Sequence, residues 1–429
     1  MKSRSLAILL LATVLIVSAC TDTTEPTDLP DVAVLAMSDL ARTQGSATEA
    51  EIAAAAAALE QFGVDLYRVL ATGDDNLVIS PASVMLALAM TYAGADGVTA
   101  DEMAAVLNFD LDDESLHRAF NDLDAILESR SFEGPDENGV VVRSANSLWG
   151  HRGVPFEDAF LDTLALNYGA GMRLVDFAAA AEEARETINE WVAAETNDKI
   201  TDLIPAGALD ALTRLVLVNA VYLDATWASQ FDPESTYDGS FFPADGTQIE
   251  VPLMTQTASF PFAAGDGWQA VELPYLRNEL ALMVVVPDEG RFSEVERLLG
   301  SELIADVSAG LAPVEVALTL PKFEFRTQAG LNPALRELGM AMAFDPNSAD
   351  FTRMTRAEQL FVGEVIHEAF ISVDEEGTEA AAATAVVMRA TSAPLETVEM
   401  TIDRPFLFAL RDLETGALLF LGRVMNPAA

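Results

Sequence analysis

Asp374-Glu-Glu-Gly-Thr-Glu-Ala-Ala-Ala-Ala-Thr-Ala-Val-Val-Met-Arg-Ala-Thr-Ser-Ala-Pro394 is the stretch on which the reading of this chain depends. Its alanines and Glu379 favour helix, so a surface helix is the plain local reading. Yet it follows directly on Val362 to Val373, which reads as a strand, and its second half carries Val386, Val387 and two threonines, which favour β-structure. Weak commitment to either form suits a segment that must change structure.

Working outward, the two halves of the chain differ in period. Leu59, Phe62, Leu66 and Val69 recur at helical spacing on an alanine-rich background. Ser80-Pro81 opens a second helix, with serine as N-cap and proline at the first helical position, and its body from Val84 to Ala93 is apolar nearly all round and therefore buried. Helical signals run to about residue 205, broken by the strand-like Gly139-Val-Val-Val-Arg143. Beyond it, Leu215 to Val218, Leu280 to Val286 and Val314 to Leu320 read as strands, and Phe406 to Leu410 with Ala417 to Leu421 as a hairpin around Glu414-Thr415-Gly416. Helices first and long strands later, without strict alternation, predict an α+β domain over residues 51–429.

The N-terminus is of another kind. Lys2 and Arg4 precede an apolar run from Leu6 to Val17 and then Ser18-Ala19-Cys20, the order of a secretory signal over residues 1–19. Cys20 is the sole cysteine, so no intramolecular disulfide is possible. Val17-Ser18-Ala19-Cys20 resembles the lipobox of bacterial lipoproteins, which implies acylation of Cys20 and anchoring in a membrane of the cell envelope, facing the periplasm or the outside; an ordinary signal with a chance cysteine is the other reading. Residues 20–50 mix Thr, Asp, Pro and Ser with little periodicity and are expected to be a lipidated, flexible tether.

Sixty-eight acidic residues against 24 basic ones give a formal charge of -44. Such a field repels phosphate backbones, so no nucleic-acid partner is expected. Only Lys2, Lys199 and Lys322 are lysines. The acidic surface fits a salt-rich habitat or plain solubilisation.

No catalytic signature appears. Gly-x-Ser-x-Gly, a Walker loop, a Rossmann fingerprint and His-Glu-x-x-His are all missing. With His117, His151 and His367 as the only histidines, neither a metal site nor a cofactor is expected. A carboxylate pair of glycosidase type stays open, since two acids suffice. The chain is read as a non-enzyme.

Glu375-Glu376-Gly377-Thr378-Glu379-Ala380-Ala381-Ala382-Ala383 resembles the proximal hinge of inhibitory serpins. Other motifs fall in serpin order: Asn76 to Ala95 (NLVISPASVMLALAMTYAGA), Ser144-Ala-Asn-Ser-Leu-Trp149, Leu215 to Ala220 (LVLVNA), Pro321-Lys322-Phe323, and Arg404-Pro405-Phe406-Leu407-Phe408 through Gly422-Arg423. The resemblance covers about residues 55 to 427 and implies a serpin fold with three β-sheets, eight or nine helices and an exposed reactive-centre loop. It also implies a suicide inhibitor of serine proteases: the protease cuts the loop, forms an acyl-enzyme, and is trapped when the loop inserts into the main sheet. A non-inhibitory serpin acting as a binding protein or chaperone is the alternative.

On this resemblance Thr378, Ala380, Ala382, Thr384, Val386 and Met388 face inward in the inserted strand, and Glu379 and Arg389 outward. Thr378 and Ala382 are expected to do so only after insertion, and Gly377 to supply the freedom to turn in. Counting from the hinge puts the bait bond at Thr391-Ser392, suited to an elastase-like or subtilisin-like protease; Arg389, suited to a trypsin-like one, is the rival. Ser80, Asn219 and His367 match the residues hydrogen-bonded beneath the point where the sheet parts, with a satisfied core histidine as the plain reading of His367. Trp227 matches the tryptophan where the loop enters, after an apparent turn at Leu223-Asp224-Ala225-Thr226 that lacks the usual lysine and glycine. The region Glu114 to Gly139 is acidic, so no heparin-type partner is expected, and the chain is read as a monomer.

Overall fold

The computed structural model describes residues 33–134, 138–378 and 397–429. Residues 1–32, with the signal and Cys20, and residues 379–396, with most of the hinge, Arg389, Thr391 and Ser392, lie outside the described residues.

Nine α-helices and two hydrogen-bonded sheets make up the described chain. The main sheet has eight strands: β1 (Val34–Ala36), β3 (Phe132–Glu133), β4 (Gly139–His151), β5 (Met172–Val175), β6 (Leu215–Thr226), β12 (Phe323–Gly330), β13 (Glu364–Val373) and β14 (Gly377–Thr378). Their order is β1-β5-β4-β6-β14-β13-β12, with β3 on β4. The second sheet has nine: β2 (Leu77–Ile79), β7 (Tyr237–Phe241), β8 (Ile249–Gly265), β9 (Trp268–Pro274), β10 (Leu280–Pro287), β11 (Ala312–Pro321), β15 (Val398–Thr401), β16 (Phe406–Asp412) and β17 (Leu418–Val424). The second and third sheets anticipated from the resemblance are continuous here, because the 17-residue β8 serves both. One edge of β8 carries β11; the other carries β7 at its start and β9 at its end.

Local chemistry starts the helices. Thr48 and Glu51 form a reciprocal capping box on α1 (Glu49–Leu70). Ser80 caps α2 (Pro81–Tyr92), all twelve residues of which are buried. The next helices are α3 (Gly97–Val106), α4 (Asp113–Ser129), α5 (Asp158–Tyr168) and α6 (Phe177–Glu195). β6 is covered on both faces and so reads as a continuous apolar run. Leu215, Leu217, Val221, Leu223 and Ala225 join the large core with α1, α2 and the second sheet. Val216, Val218 and Ala220 join a smaller core beneath α6, with Trp149, Ile188 and Trp191.

Two expectations are corrected. Leu223 to Thr226 is the end of β6, paired with β4 as far as Ala225, and not a turn. Residues 33 to 48 are not tether but are bonded to the body. β1 pairs with β5, Thr43 bonds the Leu166 carbonyl, and the amides of Gly45 and Ala47 donate to the Asp122 carboxylate at 3.0 and 2.6 Å. Arg42 donates to Asn121 Oδ1 and Asp124 Oδ2, each at 2.7 Å, and to Glu128. Their partners lie about 75 to 140 residues away, which local periodicity does not encode. Arg42→Ala strips the half-buried Asp124 of its cation, and a loss of about 1–3 kcal/mol is expected, measured as a lower urea midpoint.

Candidate functional site: the seam of the main sheet

β6 and β13 are parallel neighbours that pair directly from Val216–Glu364 to Val221–Ala369. Toward their C-terminal ends the two strands no longer pair with each other. There the chain turns after Val373 and lays β14 between them, with Thr378 opposite both Ala225 and Val373. Asp374 shapes this turn: its amide donates to the Gly377 carbonyl, and its carboxylate accepts from the amides of Glu376 and Gly377 at 2.9 and 3.2 Å.

The turn is clasped from several sides. The indole N–H of Trp227 donates to the Asp374 carbonyl at 3.0 Å, and the Trp227 amide to the Glu376 carbonyl at 2.9 Å. The Trp227 ring stacks on Tyr275 with centroids 4.5 Å apart. The Tyr275 hydroxyl shares a 2.6 Å hydrogen bond with Thr378 Oγ1, both groups being buried. Lys322 Nζ and Thr236 Oγ1 donate to the Glu375 carboxylate at 2.6 and 2.7 Å. Burial pushes the Glu375 carboxyl up, but Lys322 and Thr236 outweigh it and hold it below its ordinary value. Asp224 goes the other way, to about 6, because burial and the charge of Asp374 outweigh Tyr222 and Lys199.

Thr378 is therefore already buried in the uncut chain, contrary to the expectation that it turns inward only after insertion. Arginine there would strike the intact fold. Gly377 needs correction too. Its φ is not in the left-handed region; a side-chain carbon would lie 1.9 Å from the Ala225 carbonyl oxygen, so glycine serves close approach rather than freedom.

Beneath the wedge, one side-chain bond crosses the directly paired part of the seam: His367 Nδ1 meets Asn219 Oδ1. The Ser80 amide donates to His367 Nε2 at 3.1 Å, which leaves the ring proton on Nδ1 facing Asn219. Ser80 takes part through its backbone, because its hydroxyl is occupied as the cap of α2. Asn219 Nδ2 donates to Ser83 Oγ and Asn146 Oδ1, and Ser83 Oγ to Asn146 Oδ1 at 2.7 Å. Ser83 and Asn146 stand within the motifs singled out above but had no role assigned. Tyr275 gave no sequence signal at all, whereas Lys322 did, as one of three lysines. Among the described residues no group of three or more His, Cys, Asp or Glu could hold a metal ion.

Complete burial pushes His367 from its ordinary 6.5 down to about 4, against the contact with Asn219. The unfolded chain then gains a proton near 6.5 and the folded one only near 4, so this contribution is whole above pH 6.5 and is lost as pH falls toward 4. The loss is on the order of 3 kcal/mol. Buried His117 shifts the same way, also to about 4. Urea midpoints are expected to hold level above about pH 6.5 and to fall between pH 6.5 and 4.5, with a shallower slope in His367→Gln. Gly377→Ala is expected to cost about 1–3 kcal/mol by overpacking against Ala225, measured at neutral pH in the same titration.

Comparison with known proteins bears on this geometry. The family model described as Serpin (serine protease inhibitor) matches residues 57–427. A serpin-like protein of Thermococcus kodakarensis is 40% identical over 373 residues, covering 86% of this chain and 85% of its own. The leukocyte elastase inhibitor of Xenopus tropicalis is 36% identical, covering 86% and 98%. Among solved structures, the thermophilic serpin tengpin in its native state superposes with a TM-score of 0.80 at 28% identity, over 92% of this chain and 99% of its own.

Proposed function

The chain belongs to the serpin family, and we propose that it is a suicide-substrate inhibitor of serine proteases rather than an enzyme, trapping the acyl-enzyme by inserting its cleaved loop between β6 and β13. The observation that carries this reading is the wedge of Gly377 and Thr378, antiparallel to both parallel strands. A new strand can continue it only by parting β6 from β13.

The register is already set by Thr378. Each residue further along the loop falls one residue further back on both neighbours. Ala380 would meet Leu223 and Ile371, Ala382 Val221 and Ala369, and Thr384 Asn219 and His367. Val386 would meet Leu217 and Val365, and Met388 Leu215, the first residue of β6. Every one of those partner side chains is buried, so the alternate loop residues that arrive there must be uncharged, as these are. Glu379 and Arg389 would fall on the opposite face, where β-alternation puts them. A strand reaching Met388 fills β6 to its start, which favours a bait bond beyond it. Thr391-Ser392 is our assignment, with Arg389 as the rival; an elastase-like or subtilisin-like protease fits the first.

Insertion at Thr384 separates His367 from Asn219, so their bond acts as the lock on the seam. Release of this lock competes with hydrolysis of the acyl-enzyme. We further propose export and anchoring through acylated Cys20, with the inhibitor acting as a monomer on the envelope.

A covalent band near the summed mass is expected on a denaturing gel after incubation with a panel of serine proteases. Clean cleavage without it would favour a binding protein or chaperone. Ala382→Pro removes a ladder donor from the incoming central strand. That variant is expected to be cut at the same bond yet to release active protease, turning inhibitor into substrate; trapping as efficient as in the unaltered chain would refute insertion through this seam.

A further inference from the structure

Nine large hydrophobic side chains stand exposed among the described residues, and Val34, Leu35, Met37 and Leu40 fall within seven consecutive positions. Single exposed apolar residues need no explanation, whereas a cluster marks a contact surface. This one is held in place. β1 pairs with β5 as the outermost strand of the main sheet, Ser38 Oγ donates to Asp162 at 2.5 Å, and Arg42 grips α4. Val34 and Leu35 are successive residues of this edge strand and so point to opposite faces, while Met37 and Leu40 follow it, so all four can meet one apolar surface only with the rim of the sheet turned toward it.

Position in the chain says what covers them. Residues 21–33 are all that separates Val34 from Cys20. Fully extended they reach at most about 45 Å, and as a random coil roughly 20 Å. The exposed stretch is thus the part of the body that an anchor at Cys20 would hold nearest the bilayer. A single tether leaves the body free to turn, and a second apolar contact would fix its orientation.

We propose that Val34, Leu35, Met37 and Leu40 form a bilayer-docking surface that rests the rim of the main sheet on the lipid; this builds on the reading that Cys20 is acylated. The contact is with the apolar boundary of zwitterionic lipid and not with anionic head groups. The chain carries a charge of -44, and Asp39 is exposed inside the stretch. Anionic lipid therefore weakens docking, and salt, by screening the repulsion, restores it.

The full-length acylated protein, reconstituted in phosphatidylcholine vesicles, tests this. Acylation consumes the only natural thiol, so a cysteine introduced as Leu35→Cys or Leu40→Cys carries a polarity-sensitive dye alone. Leu212→Cys and Leu298→Cys, at exposed apolar positions elsewhere, are the controls. Dyes at 35 and 40 are expected to shift to the blue and to be quenched by brominated phosphatidylcholine, and those at 212 and 298 to do neither. If the protein sediments with vesicles while all four dyes report water, docking is overturned and anchoring stands. A shift at 35 and 40 without vesicles assigns the surface to a second copy or to residues 21–32, and also overturns it. Labelling of Cys20 itself, or failure to sediment, overturns anchoring and docking together.

Discussion

Everything distinctive in this fold depends on two parallel strands, β6 and β13, that are paired for six residues and then kept apart by two residues of their own chain. Parallel neighbours have a geometric property that antiparallel ones lack. A third strand laid between them can run antiparallel to both, and so take up ladder bonds on both edges in the more favourable pattern. The paired part of the seam is held by backbone bonds, by apolar packing of side chains from both strands, and by the hydrogen bond of His367 with Asn219. Both faces of β6 are covered, by the large core on one side and α6 on the other, so whatever enters must match a buried slot residue by residue.

Scarce cations are placed where this architecture needs joints. The chain has 24 basic residues against 68 acidic ones. One of three lysines, Lys322, binds Glu375 at the turn into the seam. Arg130 joins the end of α4 to Asp412 and Glu414 of the terminal hairpin, and Arg423 ties β17 to Glu296 and to the carbonyls of Thr72, Gly73 and Asp75. Buried charges of this kind are weak evidence of net stability, because desolvation offsets their attraction. They do specify position: removing one partner strands the other, so each joint resists rearrangement. On the proposed mechanism, the one large motion is then confined to the directly paired part of the seam.

What the amino-acid order determined by itself was periodicity and local chemistry. Period-two alternation in the loop sorts charged from uncharged positions, and the Ser80-Pro81 signal, the apolar body of α2 and the terminal hairpin follow from neighbours within a few residues. The mixed helix and strand preference of the hinge segment follows from its composition alone. Which strands adjoin, by contrast, was decided at sequence separations near 150, as between Asn219 and His367, where no local pattern carries information. Only the assembled sheet put the Ala225 carbonyl where a side chain on Gly377 would stand, buried Thr378 against Tyr275 before any cut, and drew Ser83 and Asn146 into one network with His367. It also took residues 33 to 48, loop-like in composition, and ordered them through bonds to α4, α5 and β5, because backbone groups without a local partner find one wherever the tertiary structure presents it.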